Sequence, residues 1–358
     1  MMTGRLRLTA LLALVLAVAT VASATTPEQL IDDGHYKQAR SLVDHQLQAN
    51  PNNAQLNWLM ARIHRAFGDL PGAIGYAQKA VQLAPSKADY HLTLAELQGR
   101  VAEQSNMLKQ AMLARTIRKE LETAFQLEPS NVDARWGLLQ YYWMAPSLMG
   151  GDKAKAREMA VEIGKLNVAQ GYVAQAVIAA DEKRTSDVES NYKKAIQADP
   201  NSYDARISLA QFYMGDDQKK YDEAAEQYRA ATKISPTRVD GYVGLSKIYA
   251  MRGQWTELER LLGESEHQIS DNMLPYYEAG LALLNSGKEL GRAEQYLRKY
   301  MGQEVEGNAP SLPDAHWRLS QVLTKEGRRP EAIAELNTAV KMNPGFEPAK
   351  KDLKKMHG

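Results

Sequence analysis

Cysteine is absent from all 358 residues, which excludes disulfides, thiolate nucleophiles, Cys-ligated zinc and iron–sulfur clusters together. Excess charge of either sign is also missing, since 44 Lys and Arg stand against 43 Asp and Glu. A chain so balanced has no overall electrostatic reason to bind nucleic acid or an anionic membrane surface. No HExxH, GxSxG or Gly-x4-Gly-Lys-Ser/Thr motif occurs. The seven histidines are scattered, and none pair at i, i+4. Gly150-Gly151-Asp152-Lys153 suggests a phosphate cradle opening a helix, but it lacks the glycine spacing and the hydroxyl after the lysine, and a plain inter-helix turn reads it better. No catalytic residue, metal site or cofactor is therefore expected.

Membrane-spanning runs are lacking too. Arg5 and Arg7 precede an apolar stretch from Leu8 to Val21, and Ala22-Ser23-Ala24 has the small-x-small pattern of a signal-peptidase site. At about 14 residues the stretch falls short of the ~20 a helix needs to cross a bilayer. Residues 1–24 thus read as a cleaved signal peptide. No cysteine follows to carry a lipid, and no membrane insertion is expected after cleavage. The expected compartment is the bacterial periplasm.

What is present is a period. The composition, 44% apolar and 24% charged, is sufficient for a packed core. Pro51, Pro85, Pro129, Pro200, Pro236 and Pro344 recur at 34 residues or at intervals near its multiples. Twelve residues before four of them stands an alanine: Ala39, Ala73, Ala224 and Ala332. Gly34, Gly68 and Gly327 open the turn before the second helix of their repeats. Small residues suit places where helix axes approach closely, and proline ends a helix that it cannot continue. Thr26-Pro27-Glu28-Gln29 combines an N-cap, a first-turn proline and a capping-box glutamine.

These residues resemble the tetratricopeptide repeat (TPR) family. The clearest copies run from Asp204 to Pro236, with Leu209, Ala210, Tyr213, Tyr221, Ala224, Tyr228 and Ala231, and from Asp314 to Pro344, with Leu319, Gly327, Ala332 and Ala339. The resemblance implies an all-α solenoid, a right-handed superhelix of about nine helix-turn-helix repeats over residues 25–346. Their ends are expected near 51, 85, 129, 168, 200, 236, 270, 306 and 344, with a C-terminal capping helix at 347–358. Two insertions depart from the pattern, at Gly99–Lys109 and Ala145–Asp152. Val188 and Leu258 stand where alanine is expected, and residues 169–200 form a weaker copy.

In such a stack, as the resemblance implies, positions 2, 5, 9, 12 and 13 of each first helix line the concave groove. Trp58, Trp136 and Trp317 then fall at position 5, Trp143 at position 12, and Arg62, Gln140, Gln211, Lys247 and Gln321 at position 9. Aromatic anchors with interleaved amide and basic donors suit an extended peptide or an amphipathic helix. Shifting the phase by one makes the same tryptophans core residues. Arg135 and His316 occupy position 4, an odd choice for a core slot. Position 9, with Arg62, Glu96, Gln140, Gln211 and Lys247, does not reproduce the family's Lys/Asn/Arg clamp for a C-terminal carboxylate. The function expected is a non-catalytic scaffold that binds a segment of another protein. The alternative is a glycan or small-ligand site beside residues 136–152, with Trp136, Tyr141, Tyr142 and Trp143 as stacking platforms.

Overall fold

The computed structural model describes residues 25–357, so the leader-like segment 1–24 lies outside the described residues. Among these residues there are nineteen α-helices, one 3-10 turn and no strand. They pair as hairpins: α1 (Pro27–Asp33) with α2 (Tyr36–Ala49), α3 (Ala54–Ala66) with α4 (Leu70–Leu83), α5 (Ala88–Glu103) with α6 (Met107–Leu127). Next come α7 (Val132–Met144) with α8 (Lys153–Leu166), α9 (Val168–Asp181) with α10 (Thr185–Ala198), and α11 (Tyr203–Met214) with α12 (Tyr221–Ile234). The last are α13 (Asp240–Arg252) with α14 (Trp255–Gln268), α15 (Leu274–Ser286) with α16 (Leu290–Tyr300), and α17 (Leu312–Lys325) with α18 (Arg329–Met342). A single helix, α19 (Glu347–His357), follows them. Each hairpin packs on the hairpins before and after it in the chain, the arrangement of an α-solenoid.

The six periodic prolines act through the residue before them. Asn50, Ala84, Glu128, Asp199, Ser235 and Asn343 each end a second helix with φ between −133° and −143° and ψ between 66° and 95°. A following proline ring disfavours the helical region for these residues, so the helix stops there. Side-chain caps then restart many of the first helices: Asn53, Asn131, Ser202 and Ser311 each accept a hydrogen bond from the backbone N–H three residues on. At the start of the array Thr26 and Gln29 form the reciprocal capping box, at 3.2 and 3.0 Å.

Ala39, Ala73, Ala224 and Ala332 are wholly buried. Val188 and Leu258, in the equivalent slots of α10 and α14, are buried as well. Residues 169–200, the weak copy, form a complete hairpin. Polar contacts repeat with the fold. Trp58, Trp136 and Trp317 donate their indole N–H to Thr93, Gln170 and Asp352, each 34 or 35 residues ahead. Arg292 to Glu259, Lys299 to Glu266 and Arg328 to Glu294 span 33 or 34 residues in the other direction.

Candidate functional site

The two insertions frame a cleft of about 970 Å³ walled by α3, α5, α6 and α7 and by the 3-10 turn Ser147–Met149. The first insertion lengthens α6 to 21 residues. The second carries the chain from α7 to α8 through a turn that requires glycine: Gly150 has φ +95°, and a Cβ on Gly151 would lie 1.7 Å from the Ala145 carbonyl oxygen. Asp152 caps α8 by accepting from the N–H groups of Ala154 and Lys155, so this helix start is already satisfied. The Gly150–Lys153 segment is thus an inter-helix turn.

Four of the nine residues read from the sequence meet in this cleft: Trp58, Arg62, Trp136 and Gln140. Trp58 and Trp136 are half-buried, with one edge fixed by the indole hydrogen bonds already described. They are neither wholly core nor free groove residues; each pins one repeat to the next and turns its remaining surface to the cleft. Arg62 stacks on Trp58, its guanidinium carbon 5.0 Å from the ring centre, and pairs with Asp32 at 2.5 Å. Gln140 is exposed.

Trp143 must be corrected as a groove residue. It lies two turns beyond Trp136 on the same helix face, but the start of α8 folds back over that end of α7. Lys153 and Arg157 cover its ring at 4.3 and 5.2 Å, and its indole donates to Asp181 at 3.0 Å. Tyr141 is buried too, its hydroxyl donating to the Met149 carbonyl. Of the four aromatics proposed as stacking platforms, only Trp136 and Tyr142 keep appreciable surface. Gln211 and Lys247 are exposed on α11 and α13, and Trp317 and Gln321 are half-buried on α17; none of the four lines the cleft. Trp317 is seated against Phe346 and under Arg318.

Sequence reasoning missed several cleft residues. Ile117 and Leu121 of α6 face it, and Leu121 fits because Gly137 opposite carries no side chain; a Cβ there would lie 2.5 Å from Leu121 Cδ2. Asp89 and Asp133 also line it, and neither makes an ion pair among the described residues. Loss of solvent around Asp89, followed by the charge of nearby Glu128, pushes its carboxyl above the usual range. Arg65 and Arg100 are both engaged by Glu96. Met144, which lines the cleft, and Met107, Leu108 and Met112 on α6 and Leu148 in the 3-10 turn, on elements that also wall it, are 67% to 97% exposed, more than any other large apolar side chain described. Their signal in the sequence was the pair of insertions, since Met107, Leu108 and Leu148 fall within them and Met112 and Met144 flank them.

No group of three or more His, Asp or Glu able to hold a metal occurs among the described residues, and no described helix is long and apolar enough to cross a membrane. No curated protein matches the sequence. Among solved structures the chain is similar to yeast Tom70 (TM-score 0.47, 14% identity, covering 92% of this chain and 86% of that one). It is also similar to a tetratricopeptide repeat protein from Parabacteroides merdae (0.41, 14%, covering 85% and 99%) and to MamA (0.38, 20%, covering 52% and 94%). Family models described as tetratricopeptide repeat match residues 30–97 and 173–239. Those stretches coincide with hairpins of the stack and carry the Ala and Pro register that builds it, so the chain carries tetratricopeptide repeats in both.

Proposed function

We propose that this protein is a non-catalytic scaffold of the bacterial periplasm or envelope, and that its cleft holds a segment of a partner protein. The observation that carries the reading is the meeting of Trp58, Trp136, Arg62 and Gln140 in one cleft, with Met144 exposed on its lining and four more exposed Met and Leu side chains on the α6 and 3-10 elements that wall it. Exposed large apolar side chains near aromatic anchors are a mark of an interaction site. Asp89 and Asp133 supply the polarity: a partner segment with apolar side chains for Met144 and the exposed Met and Leu residues and a Lys or Arg near these carboxylates complements both. The ligand alternative is weaker, since two of its four stacking rings are buried. The leader-like residues Arg5 to Ala24 support export, and N-terminal sequencing of the exported protein should begin at Thr25.

The test uses photoreactive residues placed at Gln140 and Glu96 in the cleft and at Arg260 on a second helix outside it. The same partner should be captured from both cleft positions and not from position 260. Trp136→Ala should then weaken binding of that partner about tenfold or more. Asp89→Asn with Asp133→Asn should weaken it mainly at low salt. Equal capture from position 260, or a partner indifferent to Trp136→Ala, removes the cleft from the reading.

A further inference from the structure

The first hairpin touches the far half of the chain. His35 Nδ1 lies 2.9 Å from both carboxylate oxygens of Asp271, which also accepts from Gln38 Nε2 at 2.9 Å. Lys37 donates its ammonium to the carbonyls of Asp271 and Glu304 at 2.7 and 2.6 Å. Arg40 pairs with Glu304 at 2.8 Å, and Thr237 donates to Asp33 at 3.0 Å. Gly307, at φ +54°, packs against the Tyr36 ring and the Ala66 carbonyl. The three loops involved are successive connections, α12–α13, α14–α15 and α16–α17. Since every helix from α1 to α17 packs on the next, these contacts close one turn of the solenoid on itself.

The joint is made at a helix start that cannot complete itself. The N-cap of α2 is His35, whose side chain makes no capping hydrogen bond. The Lys37 backbone N–H, in the first turn, has no acceptor within its own helix. Glu306 accepts it at 2.9 Å from a loop 269 residues away. A carboxylate suits that position because the helix dipole is positive there. Yet Glu306 is only 5% exposed, and its second oxygen has just the Lys37 ammonium, 3.7 Å off, for company.

We propose that this contact is a clasp that holds the solenoid as a closed turn in mildly acidic solution and loosens as the pH rises through neutrality. The charged and titratable groups that face one another are Asp33, His35, Lys37 and Arg40 from the first hairpin, Asp271 from the α14–α15 loop, and Glu304 and Glu306 from the α16–α17 loop. Burial raises the Glu306 carboxyl to about 7, against a partial opposing effect of the Lys37 N–H. The hydrogen bond to Asp271 raises His35 above its ordinary value. Both groups therefore bind protons more tightly when the clasp is closed, and their support fades as the pH climbs through their closed-state values. Burial, the largest single effect, works against the ionised Asp271, but the hydrogen bond and charge of His35 together with the bonds from the backbone and Gln38 outweigh it and hold that carboxyl low, so its contribution is lost only as the pH falls below the ordinary carboxylate range. The clasp is consequently tightest at about pH 4, between the ordinary values of Asp at 3.8 and Glu at 4.5, and weakens as the pH rises from there.

The Lys37 amide reports the clasp directly, because only Glu306 protects it. In protein labelled with ¹⁵N-lysine, its exchange with solvent is measured at pH 5.5 and 7.5 and corrected for the intrinsic rate. Glu306 titrating at about 7 when closed and 4.5 when open multiplies the opening equilibrium by about twentyfold over that interval. Glu306→Gln keeps an acceptor for the amide but cannot ionise, so the pH response should shrink to the share of His35. Glu306→Ala should leave the amide unprotected at both pH values. Equal protection of wild-type Lys37 at pH 5.5 and 7.5 overturns the proposal without any variant. A response undiminished in a Glu306→Gln protein that keeps the wild-type circular dichroism spectrum overturns the role of Glu306. Neither measurement involves a partner, so the clasp stands or falls apart from the cleft.

Discussion

The side chain six residues after a repeat-closing proline reaches back to the carbonyl of that proline in five repeats. Asn57 donates to Pro51, His91 to Pro85, Arg135 to Pro129, Arg206 to Pro200 and Tyr242 to Pro236. This explains why polar residues occupy a position that looked like a core slot: the side chain packs between helices while its polar end anchors the loop. His316 fills the same position differently, facing Glu335 on the second helix of its own repeat. Tyr242 offers the cleanest test. Its ring is fully buried, burial pushes the phenol up to about 12, and it therefore remains a donor at neutral pH. Tyr242→Phe removes only the 3.1 Å hydrogen bond and should cost about 1 kcal/mol in denaturant titrations, with an unchanged m-value. The tryptophans yield an intermediate figure, because each is half in the core and half at the surface. Trp317→Ala loses a ring packed on Phe346 and a 2.8 Å bond to Asp352, and should cost about 2 kcal/mol by the same measurement.

At the scale of the element, most of the fold was legible because each hairpin writes its own boundaries. Proline, the residue before it, a cap and a buried alanine are all local signals, and they recur at a period that a single sequence displays. The environment of Trp143 was not legible. Helical spacing put it on the face of Trp136, but only the return of α8 decides which end of that face is covered. The α8–α9 contact was likewise invisible. There Gly164 and Gly171 let two backbones meet, and a Cβ on Gly171 would stand 2.3 Å from the Gly164 Cα. Backbone on both sides leaves nothing that can rotate away. Gly171→Ala should therefore destabilise by about 1–3 kcal/mol, measurable as a lower denaturation midpoint, whereas Gly263→Ala, in open space within α14, should be neutral or slightly stabilising.

Across the whole molecule the core is unevenly continuous. One cluster of buried side chains runs without a break from Ala176 in α9 to Ala332 in α18. The first eight helices divide their core among smaller clusters, with the cleft and the long α6 between them. In a solenoid, stability is a sum over neighbouring interfaces, so a gap in the core is a place where cooperativity can fail. The clasp was beyond reach of any local pattern, since its partners lie more than 200 residues apart, and it is what ties the weaker half to the stronger. Unfolding should accordingly proceed in two steps when the clasp is loosened. At pH 7.5, hydrogen exchange in denaturant should show the amides of α5 to α8 exchanging through openings that leave α11 to α18 protected. At pH 5.5 the first hairpin, held to the α14–α15 and α16–α17 loops, should gain protection and exchange together with the C-terminal half. If all helices exchanged as one unit at both pH values, the interface through the cleft would be as strong as any other, and the divided core would have no energetic consequence.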